Sequence, residues 1–196
     1  MADVPDRTRR EVLTAVAGIS LGSTMPASAL ARGIARPDGP FLVAYFSRSG
    51  NTRVVAGLIQ RAFGADIFEI LPANPYPDEY LATVEQARQE RDRNIEPPLK
   101  TKVPEIAHFA TVFLGMPIWG ETAPPIIRSF LSSHDLSGKT LIPFITHGGY
   151  GLGSSERVIA RYASRAQLRP GFTMQADQER QTMDRVHAWL GSRPAQ

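Results

Sequence analysis

The chain has 196 residues, a length that favours one domain, and its 42% hydrophobic and 21% charged residues are typical of globular proteins. It contains no cysteine, which excludes disulfides, iron–sulfur clusters and thiol catalysis. The net charge of +3 comes from scattered arginines without a run of like charges, so nucleic-acid binding is disfavoured. No two of the four histidines have a spacing typical of metal ligands, and no metal site is predicted.

Residues 1–29 have the pattern of an export signal. Arg9 and Arg10 precede a mildly apolar stretch that is too polar to be a good transmembrane helix. Ala27-Ser28-Ala29, or alternatively Ala29-Leu30-Ala31, supplies the small residues of a cleavage site. The segment resembles a twin-arginine signal, which implies export of the folded chain to the periplasm. A basic amino-terminal helix of a cytoplasmic protein is the alternative.

Residues 30–40 are predicted to be a glycine- and proline-containing linker, and residues 41–196 to be one domain. Five runs are predicted to be strands: Phe41–Phe46, Ala65–Leu71, Thr111–Gly115, Leu141–Thr146 and Gly171–Met174. Five helices are predicted between and after them: Thr52–Phe63, Asp78–Arg93, Ala123–Ser132, Ser154–Ala163 and Asp177–Leu190. This alternation predicts an α/β fold, a doubly wound five-stranded parallel sheet with helices on both faces.

Three loops of unusual composition follow predicted strands, at residues 47–52, 116–122 and 146–153. The carboxyl ends of parallel strands lie at one edge of the sheet, which is where ligands bind in open α/β folds. We therefore expect these three loops to converge on one ligand.

The first loop, Ser47-Arg48-Ser49-Gly50-Asn51-Thr52, has the composition of a phosphate-binding nest. Three of its side chains carry hydroxyls, Gly50 permits a positive φ, and the loop leads directly into the positive end of a helix. It lacks the Gly-Lys-Ser/Thr of a Walker loop and the pattern of a dinucleotide fingerprint. An ordinary capped turn is the alternative, and Arg48 contacts either the ligand or solvent.

The order of these motifs resembles that of the flavodoxin family. Residues 41–52 resemble its first strand and phosphate loop, and Gly115-Met116-Pro117-Ile118-Trp119-Gly120 resembles its first flavin-ring loop. Phe144-Ile145-Thr146 and the glycine-rich segment 148–155 resemble the second, and Pro75-Tyr76-Pro77 adds a likeness to a subfamily of bacterial flavodoxin-like proteins. The resemblance covers about residues 41–174 and implies an FMN cofactor. The residues it implies as FMN contacts are Ser47, Arg48, Ser49, Gly50, Asn51, Thr52, Pro117, Ile118, Trp119, Gly120, Thr146, Gly148, Gly149, Tyr150 and Gly151.

Several of these positions have alternative interpretations. Trp119 is either a stacking wall for the flavin ring or a core tryptophan, and Tyr150 either covers the other face of the ring or lies on the surface. Many relatives have a second tryptophan where this chain has Gly120. The backbone N–H groups of the glycine-rich loop are expected at the pyrimidine edge of the ring, where they would tune its potential.

Two further sets of residues lie near the predicted site. His147 is predicted to be exposed rather than in contact with the ring. Glu79, Glu90 and Arg91 lie on the predicted helix after the second strand. They form either a solvated face or a lid and substrate wall.

Three functions remain open. The first is an FMN-binding redox protein that transfers electrons to an unidentified partner. The second is an FMN-dependent NAD(P)H:quinone-type oxidoreductase, as a homodimer, and the third is a flavodoxin-fold binding protein that has lost the flavin. No catalytic residue is predicted, because neither a Ser-His-Asp order nor a recognisable acid pair is present. The mature form is expected to lack a stable membrane span.

Overall fold

The computed structural model describes residues 39–149 and 151–175, together with residues 186, 188, 189 and 191. The strands are β1 (Phe41–Tyr45), β2 (Asp66–Glu69), β3 (Thr111–Pro117), β4 (Thr140–His147), β5 (Gln167–Leu168) and β6 (Phe172–Gln175). The helices are α1 (Asn51–Phe63), α2 (Tyr80–Asp92), α3 (Pro125–Ser133) and α4 (Ser155–Tyr162). The predicted export signal, Tyr150 and most of the predicted last helix lie outside the described residues, whereas residues 186, 188, 189 and 191 are helical.

The strands form a parallel sheet in the order β2-β1-β3-β4-β5, and β6 also pairs with β4. This arrangement confirms the predicted α/β fold with a parallel, doubly wound sheet. The central strands β3 and β4 are each two residues longer than the runs predicted for them, Thr111–Gly115 and Leu141–Thr146. They pair with each other from Thr111 and Thr140 to Pro117 and Thr146. The first residues of the second and third loops are therefore held by the sheet itself.

Both faces of the sheet are buried, because side chains of a strand alternate between its two sides. Leu42 and Ala44 of β1 pack into the cluster that contains α3 and Ile159 of α4. Val43 and Tyr45 pack into the opposite cluster, which contains α1 and the helical residue Val186. The helices thus lie on both faces, as the continuous apolar character of the central strands predicts.

The fifth strand position differs from the prediction, since it is divided into β5 and β6. Leu141 pairs with Leu168 and Phe144 pairs with Phe172, so three steps along β4 correspond to four steps along the partner. The extra residue is accommodated around Pro170, which has no N–H to donate to the ladder. Gly171 permits the close approach of the Pro143 carbonyl, which a Cβ at this position would overlap.

Candidate functional site

The three loops meet at the carboxyl edge of the sheet. The Thr52 hydroxyl lies 2.9 Å from the Thr146 hydroxyl, which connects the start of α1 to the end of β4. The Ile118 N–H donates to the Thr146 carbonyl at 2.9 Å, which connects the second loop to the same residue. The Ser154 N–H donates to the Glu121 carbonyl at 2.9 Å, which connects the third loop to the second. The edge is therefore one continuous surface.

The first loop presents unpaired backbone donors. Gly50 has φ 96° and precedes the first residue of α1. Within the described residues, the N–H groups of Ser49, Gly50, Asn51 and Thr52 have no hydrogen-bond acceptor, whereas the next N–H, that of Arg53, donates to Ser47 Oγ at 3.3 Å. Adjacent free N–H groups at the positive end of a helix form a site for an anion.

Two side chains of the loop have structural contacts instead of facing open space. Thr52 is only 1% exposed, and its hydroxyl bonds to Thr146, so it holds the loop against β4. The guanidinium of Arg48 donates to the Asp78 carbonyl at 2.8 Å and lies 5.9 Å from the centre of the Tyr80 ring. Arg48 thereby connects the loop to the start of α2. The role of both residues as cofactor contacts stays a prediction.

The second loop is a tight reversal of the chain. The N–H of Trp119 donates to the Thr122 carbonyl at 2.9 Å, and the N–H of Thr122 donates back at 3.4 Å. Gly120 and Glu121 both have a positive φ, of 56° and 61°. Such a turn holds Trp119 in a defined position beside the first loop.

Trp119 is half-buried and packs within a group of aromatic rings. Its indole is 5.1 Å from the ring of Phe46 and 4.9 Å from that of Tyr76, in both cases edge to face. Edge-to-face pairs at these distances stabilise beyond the area that they bury. Neither Phe46 nor Tyr76 was predicted as a site residue; the Pro75-Tyr76-Pro77 run was the available signal for Tyr76.

Tyr76 also connects the aromatic group to α2. Its hydroxyl donates to a carboxylate oxygen of Glu90 at 2.8 Å, and Glu90 is only 8% exposed. Burial, and next the hydrogen bond to Glu90, raise the pKa of Tyr76 well above its usual value. The phenol therefore remains protonated and keeps this hydrogen bond. Glu90 is a buried anchor of α2 and does not lie on a solvated face. Glu79 is exposed and caps the start of α2 by accepting from the Ala82 N–H.

His147 organises the third loop. Its Nδ1 accepts from the N–H groups of Gly149 and Gly151, at 3.1 Å and 3.4 Å. The side chain is half-buried, which differs from the exposed position predicted for it. A histidine at the end of a strand can accept from the glycine-rich turn that follows, and a prediction from composition misses this contact. The Gly148 N–H does not take part in it, and Tyr150 lies outside the described residues.

Arg91 occupies the space beside Gly120. A Cβ at position 120 would overlap Nη1 of Arg91, so only glycine leaves room for this guanidinium against the turn. A cation from α2 takes up this space and gives this side of the second loop a positive charge.

A model of the family described as Flavodoxin matches residues 40–192. The chain belongs to the flavodoxin family. Among solved structures, a candidate flavoprotein from Bacteroides eggerthii is 32% identical to this flavodoxin-family chain, with a TM-score of 0.67, over 79% of this chain and 97% of that one. A second candidate flavoprotein, from Bacteroides uniformis, is 28% identical with a TM-score of 0.62, over 76% and 97% of the two chains.

A more distant flavoprotein, from Lactobacillus acidophilus, was crystallised in complex with FMN. It is 18% identical to this flavodoxin-family chain, with a TM-score of 0.61, over 75% of this chain and 99% of that one. At this identity the likeness establishes the common fold. A search of curated proteins finds no significant match.

The described part of this flavodoxin-family chain has neither a cluster of metal ligands nor a membrane-spanning helix. No group of three or more His, Cys, Asp or Glu side chains there is arranged to hold a metal ion. Among the same residues, every helix is too short or too polar to cross a lipid bilayer.

Proposed function

We propose that this chain binds FMN at the carboxyl edge of its sheet and acts in electron transfer. The observation that carries the proposal is the set of unpaired N–H groups of Ser49, Gly50, Asn51 and Thr52 at the start of α1. A phosphate dianion is the ligand that such a set accommodates best, because it accepts several hydrogen bonds and interacts favourably with the helix dipole.

The residues present fit this cofactor. A Cβ built on Gly50 would meet nothing within 4 Å, so there is open space beside the unpaired donors. The chain belongs to the flavodoxin family, and the Lactobacillus acidophilus relative of the same fold was crystallised with FMN. The hydroxyls of Ser47 and Ser49 accept bonds from the Arg53 N–H and the Asn51 amide, and each can still donate its proton to a phosphate at the rim of the loop.

Bound FMN would supply one- and two-electron redox chemistry. Trp119 and the glycine-rich segment 148–151 are the proposed neighbours of its ring. Gly149 and Gly151 donate to His147, so their N–H groups would have to leave His147 Nδ1 before they could serve a flavin carbonyl. We therefore assign His147 the role of holding this segment in place when no ligand accepts those hydrogen bonds.

A cavity beside the first loop favours a second candidate function, the reduction of a small flat acceptor. The cavity has a volume of about 390 Å³ and is lined by Phe46, Ser47, Arg48, Tyr76 and three prolines among others. Cavities that hold small ligands have volumes of about 300–1,000 Å³ and are largely apolar with a few polar groups. A quinone is flat, largely apolar and carries two carbonyl oxygens, so its shape and polarity suit such a cavity.

Two assays on the FMN-loaded chain separate these functions. For electron transfer, the chemically reduced protein is mixed without oxygen with an oxidised c-type cytochrome, and cytochrome reduction faster than by the same concentration of free reduced FMN supports the proposal. For the second function, steady oxidation of NADH or NADPH by benzoquinone is measured. Turnover that Tyr76→Leu lowers and the exposed control Leu81→Ala leaves unchanged supports a reductase. Cytochrome reduction no faster than with free FMN contradicts the carrier.

We also propose that the chain is exported through the twin-arginine pathway to the periplasm. The support is the order of Arg9-Arg10, a mildly apolar stretch and Ala27-Ser28-Ala29 in the sequence. This pathway transports folded proteins, which suits a protein that takes up its flavin inside the cell.

A further inference from the structure

A second cavity is bordered by Gly120, Glu121 and Thr122 of the second loop. It has a volume of about 580 Å³ and lies between the end of α2, this loop and α4. Four arginines line it, Arg91, Arg128, Arg157 and Arg161, and Glu121 is the one acidic side chain in the lining. We call this cavity the arginine cleft.

Arg128 is a buried cation without a paired carboxylate. It is 7% exposed, and no carboxylate of the described residues lies within 4 Å of its guanidinium. Its terminal nitrogens donate to the carbonyls of Glu90 and Ile95 at 3.2 Å and to Asn94 Oδ1 at 3.4 Å. Its Nε is buried and has no partner in the described part of the chain. A buried charge is costly unless an opposite charge compensates it. The nearby buried carboxylate of Glu90 accepts from Tyr76 and makes no direct ion pair with Arg128.

The positions of the other arginines are also unfavourable for the stability of the helices that carry them. Arg157 and Arg161 lie four residues apart on the same side of α4, where like charges repel. Neither makes an ion pair within 4 Å with a described residue. Arg128 and Arg157 lie in the first turns of their helices, where the dipole disfavours a cation. Local structure therefore does not explain this concentration of charge.

Arg91 is brought to the cleft by a specific feature of the turn. Its guanidinium occupies the space that any side chain at position 120 would fill, and Asp92 neutralises it only through an exposed contact at 3.3 Å. The cleft thus combines four guanidinium groups with one carboxylate, that of Glu121. Guanidinium groups bind carboxylates and phosphates in paired hydrogen bonds.

We propose that the arginine cleft binds a small molecule with two or more carboxylate or phosphate groups. The volume suits a compact metabolite, and a multiply charged oxyanion compensates the excess of cations that the protein leaves unpaired. The cleft contains no residue of the first loop, but it borders the second and third loops through Gly120, Glu121 and Gly153. This proposal goes beyond FMN binding because its ligand is held by the arginines, and the FMN affinity of the cleft variant distinguishes the two sites.

The test is a calorimetric titration of the full chain with citrate, pyrophosphate and acetate at constant ionic strength, with and without FMN. The variant Arg157→Gln/Arg161→Gln removes two exposed cleft cations. The control Arg165→Gln/Arg169→Gln removes the same charge from exposed positions outside the cleft. The FMN affinity of both double variants is measured as a second readout.

Saturable binding of citrate or pyrophosphate but not acetate supports the proposal, if the cleft variant weakens it about tenfold while the control does not. Preference for one of the two probes identifies the carboxylate or the phosphate class. Absence of saturable binding, or equal weakening in both double variants, would overturn the proposal. A cleft variant that loses FMN affinity would also overturn it, because the cleft would then be part of the flavin site. Since the titration is run without FMN as well, a chain that fails to bind flavin still tests the cleft.

Discussion

The Thr52 and Thr146 hydroxyls, 2.9 Å apart and both buried, join the start of α1 to the end of β4. Each residue belongs to a different loop of the proposed site, and they are 94 positions apart in the sequence. Thr52→Val keeps the shape and removes one hydroxyl, so Thr146 loses its partner in a buried position. We expect the free energy of unfolding to fall by about 1–2 kcal/mol, measured by urea denaturation.

The double variant Thr52→Val/Thr146→Val is the control for this contact. If the two hydroxyls depend on each other, its loss of stability is smaller than the sum of the two single losses. Additive losses would show that the contact does not couple the loops.

Gly50 is expected to be essential to the phosphate loop because of its backbone conformation. Its φ is 96°, which a side chain disfavours, although a Cβ there would meet no other atom within 4 Å. Gly50→Ala should lower the free energy of unfolding by about 1–2 kcal/mol and FMN affinity by about tenfold or more, as the free N–H groups shift. The measurements are denaturation and flavin fluorescence titration.

Gly138 offers a matched control for Gly50. It has φ 72°, also has no atom within 4 Å of a built Cβ, and lies before β4 at the opposite edge of the sheet. Gly138→Ala should lower stability to a similar extent and leave FMN affinity unchanged. Equal FMN affinity in the two variants would contradict the assignment of the phosphate to this loop.

The strands could be predicted because each central one is an uninterrupted apolar run, such as Leu141–Ile145. The convergence of the loops followed from parallel topology alone. By contrast, Gln167 and Leu168 are both exposed, so β5 has no hydrophobic pattern that would reveal it. Its pairing depends on the neighbouring strand β4, which a local pattern does not contain.

The candidate site could be predicted as a set of loops but not as a set of contacts. Arg48 reaches Asp78 across 30 residues, and Arg91 fills the space at Gly120 from another helix. His147 accepts hydrogen bonds from the glycines that composition alone would assign to the flavin. These relationships arise from tertiary packing. No spacing in the sequence encodes them.

His134 is expected to make stability depend on pH. It is buried, and its Nε2 accepts from the Val103 N–H at 3.0 Å, which leaves Nδ1 to donate to the Phe130 carbonyl at 2.8 Å. Burial, with a smaller contribution from the charge of Lys102, lowers the pKa of His134 below its usual value, and the bond to Phe130 opposes this. The unfolded chain therefore takes up a proton at a higher pH than the folded chain does.

It follows that the contribution of His134 to the free energy of unfolding is complete above about pH 6.5. This contribution falls as the pH drops below that value, by up to ~1.4 kcal/mol per pH unit. Urea denaturation at pH 7.5 and 5.5 measures this loss. His134→Gln should be less stable at pH 7.5 but lose less on acidification, whereas the exposed control His108→Gln should behave like the original chain. The same acid loss in His134→Gln would show that another group is responsible.

The proposed export signal is tested by Arg9→Lys/Arg10→Lys. In a Gram-negative host with a twin-arginine pathway, we expect the original chain in the periplasmic fraction, cleaved after Ala29 or Ala31. The variant should remain inside the cell at full length. Its FMN affinity should be unchanged, because the substitutions lie outside the proposed domain. Periplasmic recovery of the variant would contradict this route.

The most direct test of the central proposal is a fluorescence titration of free FMN with the purified full chain. The account predicts saturable quenching with one FMN per chain at micromolar concentration or below, and weaker binding in Gly50→Ala than in Gly138→Ala. No saturable quenching at micromolar concentrations would contradict it. The chain would then be a flavodoxin-family fold without a flavin.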